Sequence, residues 1–112
     1  MKQCPIDDNA YSFDSMDEFN AYFEKFANDN GETFGDDMII EGNYSIRFGE
    51  VKQWVDLFGC QNVYFGNILK YSDHVAVFYF DLKHIHADPK RIWFTNPDEM
   101  SIEDGFMRIW YD

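Results

Sequence analysis

The chain has 112 residues, enough for one domain with a hydrophobic core, and 20 % of them are aromatic. A disordered acidic segment would lack so many aromatic residues, so we expect a folded protein. The net charge of −12 at pH 7 disfavours direct binding of nucleic acid or of an anionic membrane surface, and two cysteines are too few for a disulfide framework.

The first predicted element is an amphipathic helix, which follows an irregular acidic lead-in at residues 1–14. Ser15 and Glu18 have the spacing of a capping box, in which both side chains accept hydrogen bonds from free backbone amides at the helix start. Gly31 is typical of the position just after a helix. The buried face is marked by aromatic residues at helical spacing, namely Phe19, Tyr22, Phe23 and Phe26.

A loop at residues 31–37 precedes a predicted β-hairpin and a second helix. The hairpin covers residues 38–48, and a two-residue turn fits positions 42–43. Apolar residues return to helical spacing at residues 51–58, and Gly59 suits the end of this short helix.

The remainder of the chain is rich in predicted strands. Residues 74–86 contain an apolar run that is expected to be buried on both faces, as in a central strand. A short helix is predicted to begin at Asn96, with Pro97 at its first position. Further strands are predicted at residues 62–65, 67–71, 91–94 and 106–111.

This order of elements predicts a single globular α+β domain spanning residues 1–112. We expect a mainly antiparallel sheet of about five strands. The N-terminal amphipathic helix and one or two short helices would pack on one face of that sheet.

Acidic residues are concentrated in the first third of the chain. Residues 1–41 contain eleven carboxylates and two lysines, so they carry most of the net negative charge. A polarised charge distribution creates a directed field that attracts a basic partner. The expected partner-binding residues are the acidic residues of the helix and loop together with two nearby aromatic residues: Tyr11, Asp14, Asp17, Glu24, Asp29, Glu32, Phe34, Asp36 and Asp37.

Two histidines offer an alternative in metal chemistry. On a strand, His84 and His86 would point to the same side with Asp88, and such a set can bind Zn²⁺ or Fe²⁺. The run partly resembles the His-x-His-x-Asp-His motif of the metallo-β-lactamases. Pro89 replaces the final histidine of that motif, and the chain is too short for that fold. We therefore predict no metal and no cofactor, and keep a small metal-dependent enzyme using His84 and His86 as a further hypothesis.

Other catalytic arrangements are not indicated. A reactive cysteine needs positive surroundings, which neither Cys4 nor Cys60 has in this acidic sequence. The seven glycines are scattered and do not form a phosphate-binding loop. The sequence therefore predicts a protein that is not an enzyme, and it leaves open whether the two cysteines pair.

A small, acidic, aromatic-rich chain without a catalytic motif resembles the bacterial immunity proteins, which neutralise toxins. The resemblance lies in size, charge and the lack of a catalytic motif, so no functional residue is carried over. It implies a stoichiometric inhibitor that binds the basic active cleft of a toxin, such as a nuclease. The alternatives are a phage-encoded nucleic-acid mimic that inhibits restriction or CRISPR nucleases, and a structural or adaptor subunit.

The expected compartment is the cytoplasm. Residues 1–7 lack the apolar segment of a secretory signal. No apolar run in the sequence approaches the roughly 20 residues that span a bilayer. We therefore expect a basic protein partner and no membrane association.

Overall fold

The computed structural model describes residues 1–42, 46–68, 75–85 and 97–111. The elements in chain order are β1 (Lys2–Cys4), β2 (Asp7–Ser12), α1 (Met16–Asp29), β3 (Ile39–Glu41), β4 (Ile46–Arg47), α2 (Phe48–Phe58), β5 (Val63–Gly66), β6 (Val77–Asp81), β7 (Glu99–Glu103) and β8 (Phe106–Trp110). Six strands form one antiparallel sheet in the order β1-β2-β5-β6-β8-β7, and β3 pairs with β4 in a separate ribbon. This architecture confirms the predicted α+β class, with six strands in the main sheet instead of about five.

The prediction of an irregular lead-in at residues 1–14 is wrong, because this segment contains the hairpin of β1 and β2. β2 also pairs with β5, where Ala10 lies opposite Gly66, and so joins the hairpin to the sheet. Aspartate and asparagine have low strand propensity, so the sequence of β2 lacks the usual strand signal. Ala10 and Ser12 are nevertheless buried, as expected for alternate side chains that point to the same face of a strand.

α1 begins and ends where its sequence predicts. The Glu18 amide donates a hydrogen bond to Oγ of Ser15 at 3.1 Å. The Glu18 carboxylate accepts from the amide of Asp14, one residue earlier than in a standard capping box. Gly31 follows the helix with a φ of +67°, in the left-handed region that glycine adopts readily. The buried face comprises Phe19, Tyr22, Phe23, Phe26 and Ala27.

The predicted hairpin forms as the β3–β4 ribbon, but its connection is longer. Glu41 pairs with Ile46, so four residues join the strands where two were predicted. Phe48 starts α2 instead of ending a strand, and its ring stacks on Phe19 of α1 with centroids 5.2 Å apart. Gly59 follows α2 at a φ of +93°, as its sequence predicts.

The C-terminal part confirms the central strand and corrects two predictions. β6 lies between β5 and β8, although it ends at Asp81 and does not extend to residue 86. The described residues from Pro97 onward form no helix, because β7 begins at Glu99. Asp104 and Gly105, both with positive φ, make a two-residue turn to β8. The predicted strand at residues 91–94 lies outside the described residues, as does most of the one at residues 67–71.

Both helices pack on the same face of the sheet. In α1, the ring of Phe23 lies 5.9 Å from that of Phe65 in β5. In α2, the ring of Trp54 lies 5.3 Å from that of Phe78 in β6. Phe65 and Phe78 are paired on the adjacent strands β5 and β6, so the two helices share one aromatic core. The opposite face carries a smaller cluster, formed by Cys4, Ala10, Tyr64, Tyr79 and Phe106.

Candidate partner-binding surface

The loop between α1 and β3 forms an open cleft of about 500 Å³, which we call the acidic cleft. Its lining residues are Glu32, Thr33, Phe34, Gly35, Asp36, Asp37, Met38 and Ile39. Four of the nine predicted partner-binding residues therefore lie together in one concave surface. The other five lie on α1 and on the segment that precedes it.

Backbone hydrogen bonds fix both ends of this loop. At its start, the amide of Glu32 donates to the carbonyl of Ala27 in the last turn of α1, at 2.8 Å. At its end, the amide of Gly49 in α2 donates to the carbonyl of Asp36 at 2.9 Å. A Cβ atom on Gly49 would lie only 3.0 Å from Cβ of Asp36, so glycine permits this close approach. The acidic cleft is thus held between the two helices.

The carboxylates of the acidic cleft have no cationic partner within the described ranges. Asp36 and Asp37 are exposed and make no ion pair there. Arg47 donates through Nη1 to the main-chain carbonyl of Asp37 at 2.7 Å and leaves the carboxylate of Asp37 free. Oε2 of Glu32 is buried and has no hydrogen-bond partner among the residues described. Leaving such an atom unpaired costs about 1–3 kcal/mol, which a bound cationic group would offset.

An exposed aromatic ring borders these carboxylates. Phe34 is 37 % exposed, and one side of its ring packs against Phe48 with centroids 5.2 Å apart. The ring is therefore positioned by the core while part of its surface faces solvent. Aromatic residues are enriched in protein–protein interfaces relative to the rest of the surface, so Phe34 is a candidate contact residue.

The outward face of α1 carries a second set of acidic residues. Asp17 and Glu24 are two helical turns apart on this face, and both are exposed without an ion pair in the part of the chain that the structure describes. Asp29 differs, because Nζ of Lys25 lies 2.7 Å from its carboxylate. The 14 residues of α1 span about 21 Å, so Asp17 lies far from the acidic cleft.

Asp14 and Tyr11 have structural contacts of their own. The carboxylate of Asp14 bonds to the terminal amino group of Met1 at 2.9 Å, and that of Glu18 lies 3.1 Å from the same group. These hydrogen bonds, that to Asp14 first, raise the pKa of the amino group above its ordinary value. Tyr11 is half-buried against the main core, opposite Phe65. Neither residue contributes a free group to the acidic cleft.

On the face of the sheet without helices, Tyr79 and Cys4 have raised pKa values that the sequence does not predict. The hydroxyl of Tyr79 donates to Oδ2 of Asp7 at 2.6 Å. Burial, followed by this hydrogen bond, raises the pKa of Tyr79 to about 12, although Arg108 opposes the shift. Burial also raises the pKa of the Cys4 thiol. Asp7 and Tyr79 are 72 positions apart, so no local spacing could have indicated this pair.

His84 lies in the turn after β6 and not on a strand, so the predicted strand geometry is wrong at this residue. Its Nδ1 atom is 2.7 Å from Oδ2 of the buried Asp81, while the imidazole is 69 % exposed. His86 and Asp88 lie outside the described residues. Within the ranges that are described, no three His, Cys, Asp or Glu residues are grouped as metal ligands.

Both cysteines are free thiols. Cys4 is buried in the small cluster on the face without helices. Cys60 packs against the main core on the helix-covered face. The structure therefore supports the alternative in which the two thiols do not pair.

The helices of the described ranges are short, at 14 residues for α1 and 11 for α2. Neither is long and apolar enough to cross a membrane. No protein-family model, no curated protein and no solved structure matches this chain.

Proposed function

We propose that this protein is a stoichiometric inhibitor of the immunity-protein type, which binds the basic active cleft of a toxin. The observation that carries the proposal concerns Glu32, which lines the acidic cleft and whose buried Oε2 atom has no hydrogen-bond partner in the described structure. Rotation of the partly buried Glu32 side chain toward a guanidinium or ammonium group in the acidic cleft would satisfy that oxygen with a charge-assisted hydrogen bond.

Two further carboxylates strengthen this site for a cation. Asp36 and Asp37 are exposed at the acidic cleft, and their carboxylates make no ion pair with any described residue. Together with the net charge of −12 they create a negative potential that accelerates the approach of a basic protein. Nuclease toxins match this surface, because their active clefts are basic in order to bind phosphates.

Phe34 would provide the apolar contact at the centre of the interface. Its ring is already positioned by Phe48, and the loop is hydrogen-bonded at both ends. Little conformational entropy would therefore be lost when a partner covers the ring. Aromatic residues that are fixed before binding are frequent among the residues that dominate binding energy.

The exposed acidic residues of α1 would add to the electrostatic field that attracts the partner. Asp17 and Glu24 remain hydrated, so they contribute chiefly to the rate of association and to its dependence on salt. An inhibitor of a nuclease toxin acts where the nucleic acid is, which assigns this protein to the cytoplasm under the proposal.

The test begins with capture of the partner from the native host, followed by purification of the captured protein and measurement of its toxic activity. We expect a basic protein whose activity is abolished at one equivalent of inhibitor. A partner that retains its activity in the saturated complex would contradict the proposal. Capture of a restriction or CRISPR nuclease would support the nucleic-acid mimic instead.

A pair of charge-reversal variants locates the interface. Asp37→Lys should lower the association rate constant at least tenfold because it places a cation at the acidic cleft. Asp56→Lys makes the same change at an exposed position of α2 and should alter the rate constant less than threefold. Equal losses in both variants would show that only net charge matters and would exclude the acidic cleft as the binding site.

A further inference from the structure

The edge strand β7 is an open surface that the proposed function does not use. It pairs with β8 on one side, and no described residue pairs with it on the other. All five of its residues are exposed, including Ile102 at 70 % and Met100 at 41 %. An exposed edge of this kind is a template for pairing with another strand.

The turn between β7 and β8 determines which backbone groups are free. Asp104 and Gly105 form a two-residue connection, so Glu103 and Phe106 are the first hydrogen-bonded pair. Hydrogen-bonded residues alternate along an antiparallel ladder. The backbone amides and carbonyls of Met100 and Ile102 therefore point away from β8, toward an incoming strand.

The side chains of β7 separate into an apolar and an acidic face. Met100 and Ile102 lie opposite the buried residues Ile109 and Met107, so they extend the helix-covered face of the sheet. Glu99, Ser101 and Glu103 lie on the other face. There, Arg108 contacts Glu99 at 3.4 Å, while Glu103 has no ion pair in the described ranges.

A second copy of this chain is a poor occupant of the edge. If two β7 strands paired in antiparallel orientation with their Ser101 residues opposite each other, Glu99 of each would lie opposite Glu103 of the other. Like charges directly opposite each other are destabilising. Each copy also carries a net charge of −12. The glutamates thus oppose self-association, and the same charges favour a basic strand.

We propose that β7 binds, by strand addition, an extended peptide segment of a partner protein in which lysine or arginine alternates with branched apolar residues. The apolar residues would lie beside Met100 and Ile102, and the basic residues beside Glu99 and Glu103. Backbone hydrogen bonds supply affinity in this mode, and the alternating side chains supply specificity. The site shares no residue with the acidic cleft, so this proposal does not depend on the proposed function.

The first test uses the synthetic peptide Lys-Val-Lys-Val-Lys-Val-Lys and two forms of it methylated on the backbone nitrogen of either the valines or the lysines. Valines opposite Met100 and Ile102 would donate their amides to β7, whereas the lysine amides would point away. Methylation of the valines should weaken binding at least tenfold, and methylation of the lysines less than threefold. All three peptides carry the same charge, so equal binding would show non-specific attraction and overturn the proposal.

The second test follows amide hydrogen exchange in the intact protein. Bound peptide should slow exchange at Met100 and Ile102 at least tenfold, without a comparable change at Glu103, whose amide already faces β8. Ile102→Thr, a substitution that keeps strand propensity, should weaken peptide binding. Unchanged exchange at both amides, or a wild-type dimer that Ile102→Lys converts to a monomer, would overturn the proposal.

Discussion

The start of α1 and the loop that follows α1 contain carboxylates in opposite circumstances. At the helix start, Asp14 and Glu18 bond to the amino group of Met1, and Glu18 also accepts a backbone amide. In the acidic cleft, Glu32 has an unpaired buried oxygen, and the carboxylate of Asp37 has no partner in the described ranges. The first set has partners within the fold, while the second has none in the described ranges.

Two phenylalanines, one in the middle of α1 and one in the acidic cleft, show the same division. Phe23 in α1 is fully buried among the rings of the core. Phe34 in the acidic cleft is 37 % exposed and rests on Phe48 alone among the described ring contacts. Residue type therefore does not separate the structural positions of this chain from those that we propose to bind a partner. The presence or absence of an internal partner does.

The largest predicted effect comes from the two phenylalanines. Phe23→Ala should lower the free energy of unfolding by about 3–5 kcal/mol, because it leaves a cavity in the aromatic core. Phe34→Ala should lower it by about 1 kcal/mol or less, since part of that ring already faces water. Urea denaturation measures both values. Equal losses would contradict the assignment of Phe34 to an interface.

The pH dependence of stability tests the hydrogen bond between the Tyr79 hydroxyl and the carboxylate of Asp7. The pKa of Tyr79 is raised from 10 to about 12 in the folded state. Its contribution is therefore complete below pH 10 and is lost as the pH rises toward 12. We expect wild-type protein to lose about 1–2 kcal/mol more than Tyr79→Phe between these pH values. Asp36→Asn, which changes a free carboxylate, should behave like the wild type over the same range.

Removal of the helix cap tests the structural role of the segment before α1. Ser15→Ala deletes the oxygen that accepts the Glu18 amide and should cost about 1 kcal/mol of unfolding free energy. Asp37→Ala in the acidic cleft removes a free carboxylate and should change stability by about 0.5 kcal/mol or less. Thermal and urea denaturation provide the comparison. A larger loss at Asp37 would show that its carboxylate has a structural role.

Among the described residues, Oε2 of Glu32 and Oγ of Ser12 are buried without a hydrogen-bond partner, and only Glu32 lines the acidic cleft. Glu32→Met removes the buried Oε2 atom and should stabilise the protein by about 0.5–1 kcal/mol while weakening partner binding. Ser12→Ala removes the other unpaired oxygen, and should also stabilise the protein but leave binding unchanged. Destabilisation by Glu32→Met would show that the carboxylate is satisfied in the folded protein.

Local sequence patterns predicted the elements whose determining residues are close together in the sequence. The aromatic spacing and Ser15 located α1, Gly59 located the end of α2, and the apolar run located β6 at the centre of the sheet. The polar strand β2 was not predicted because its residues have low strand propensity and its pairing with β5 is distant in sequence. β7 was missed because Pro97 followed by acidic residues is typical of a helix start.

The candidate site was predicted in part. Clustering of charge indicated the loop at residues 32–37, but sequence alone does not show which carboxylates acquire internal partners. Asp14 and Asp29 do, and Asp36 and Asp37 have none in the described ranges. The close approach of Gly49 to Asp36, which holds the acidic cleft in place, depends on the contact between the loop and α2 and has no local signature.

The most direct test is the salt dependence of association between this protein and its captured basic partner, measured for wild type, Asp36→Asn/Asp37→Asn and the control Asp56→Asn. If the carboxylates of the acidic cleft attract the partner, the logarithm of the association rate constant falls steeply with the logarithm of salt concentration in the wild type and the control. The double variant then has a clearly shallower slope. Three equal slopes would contradict this account.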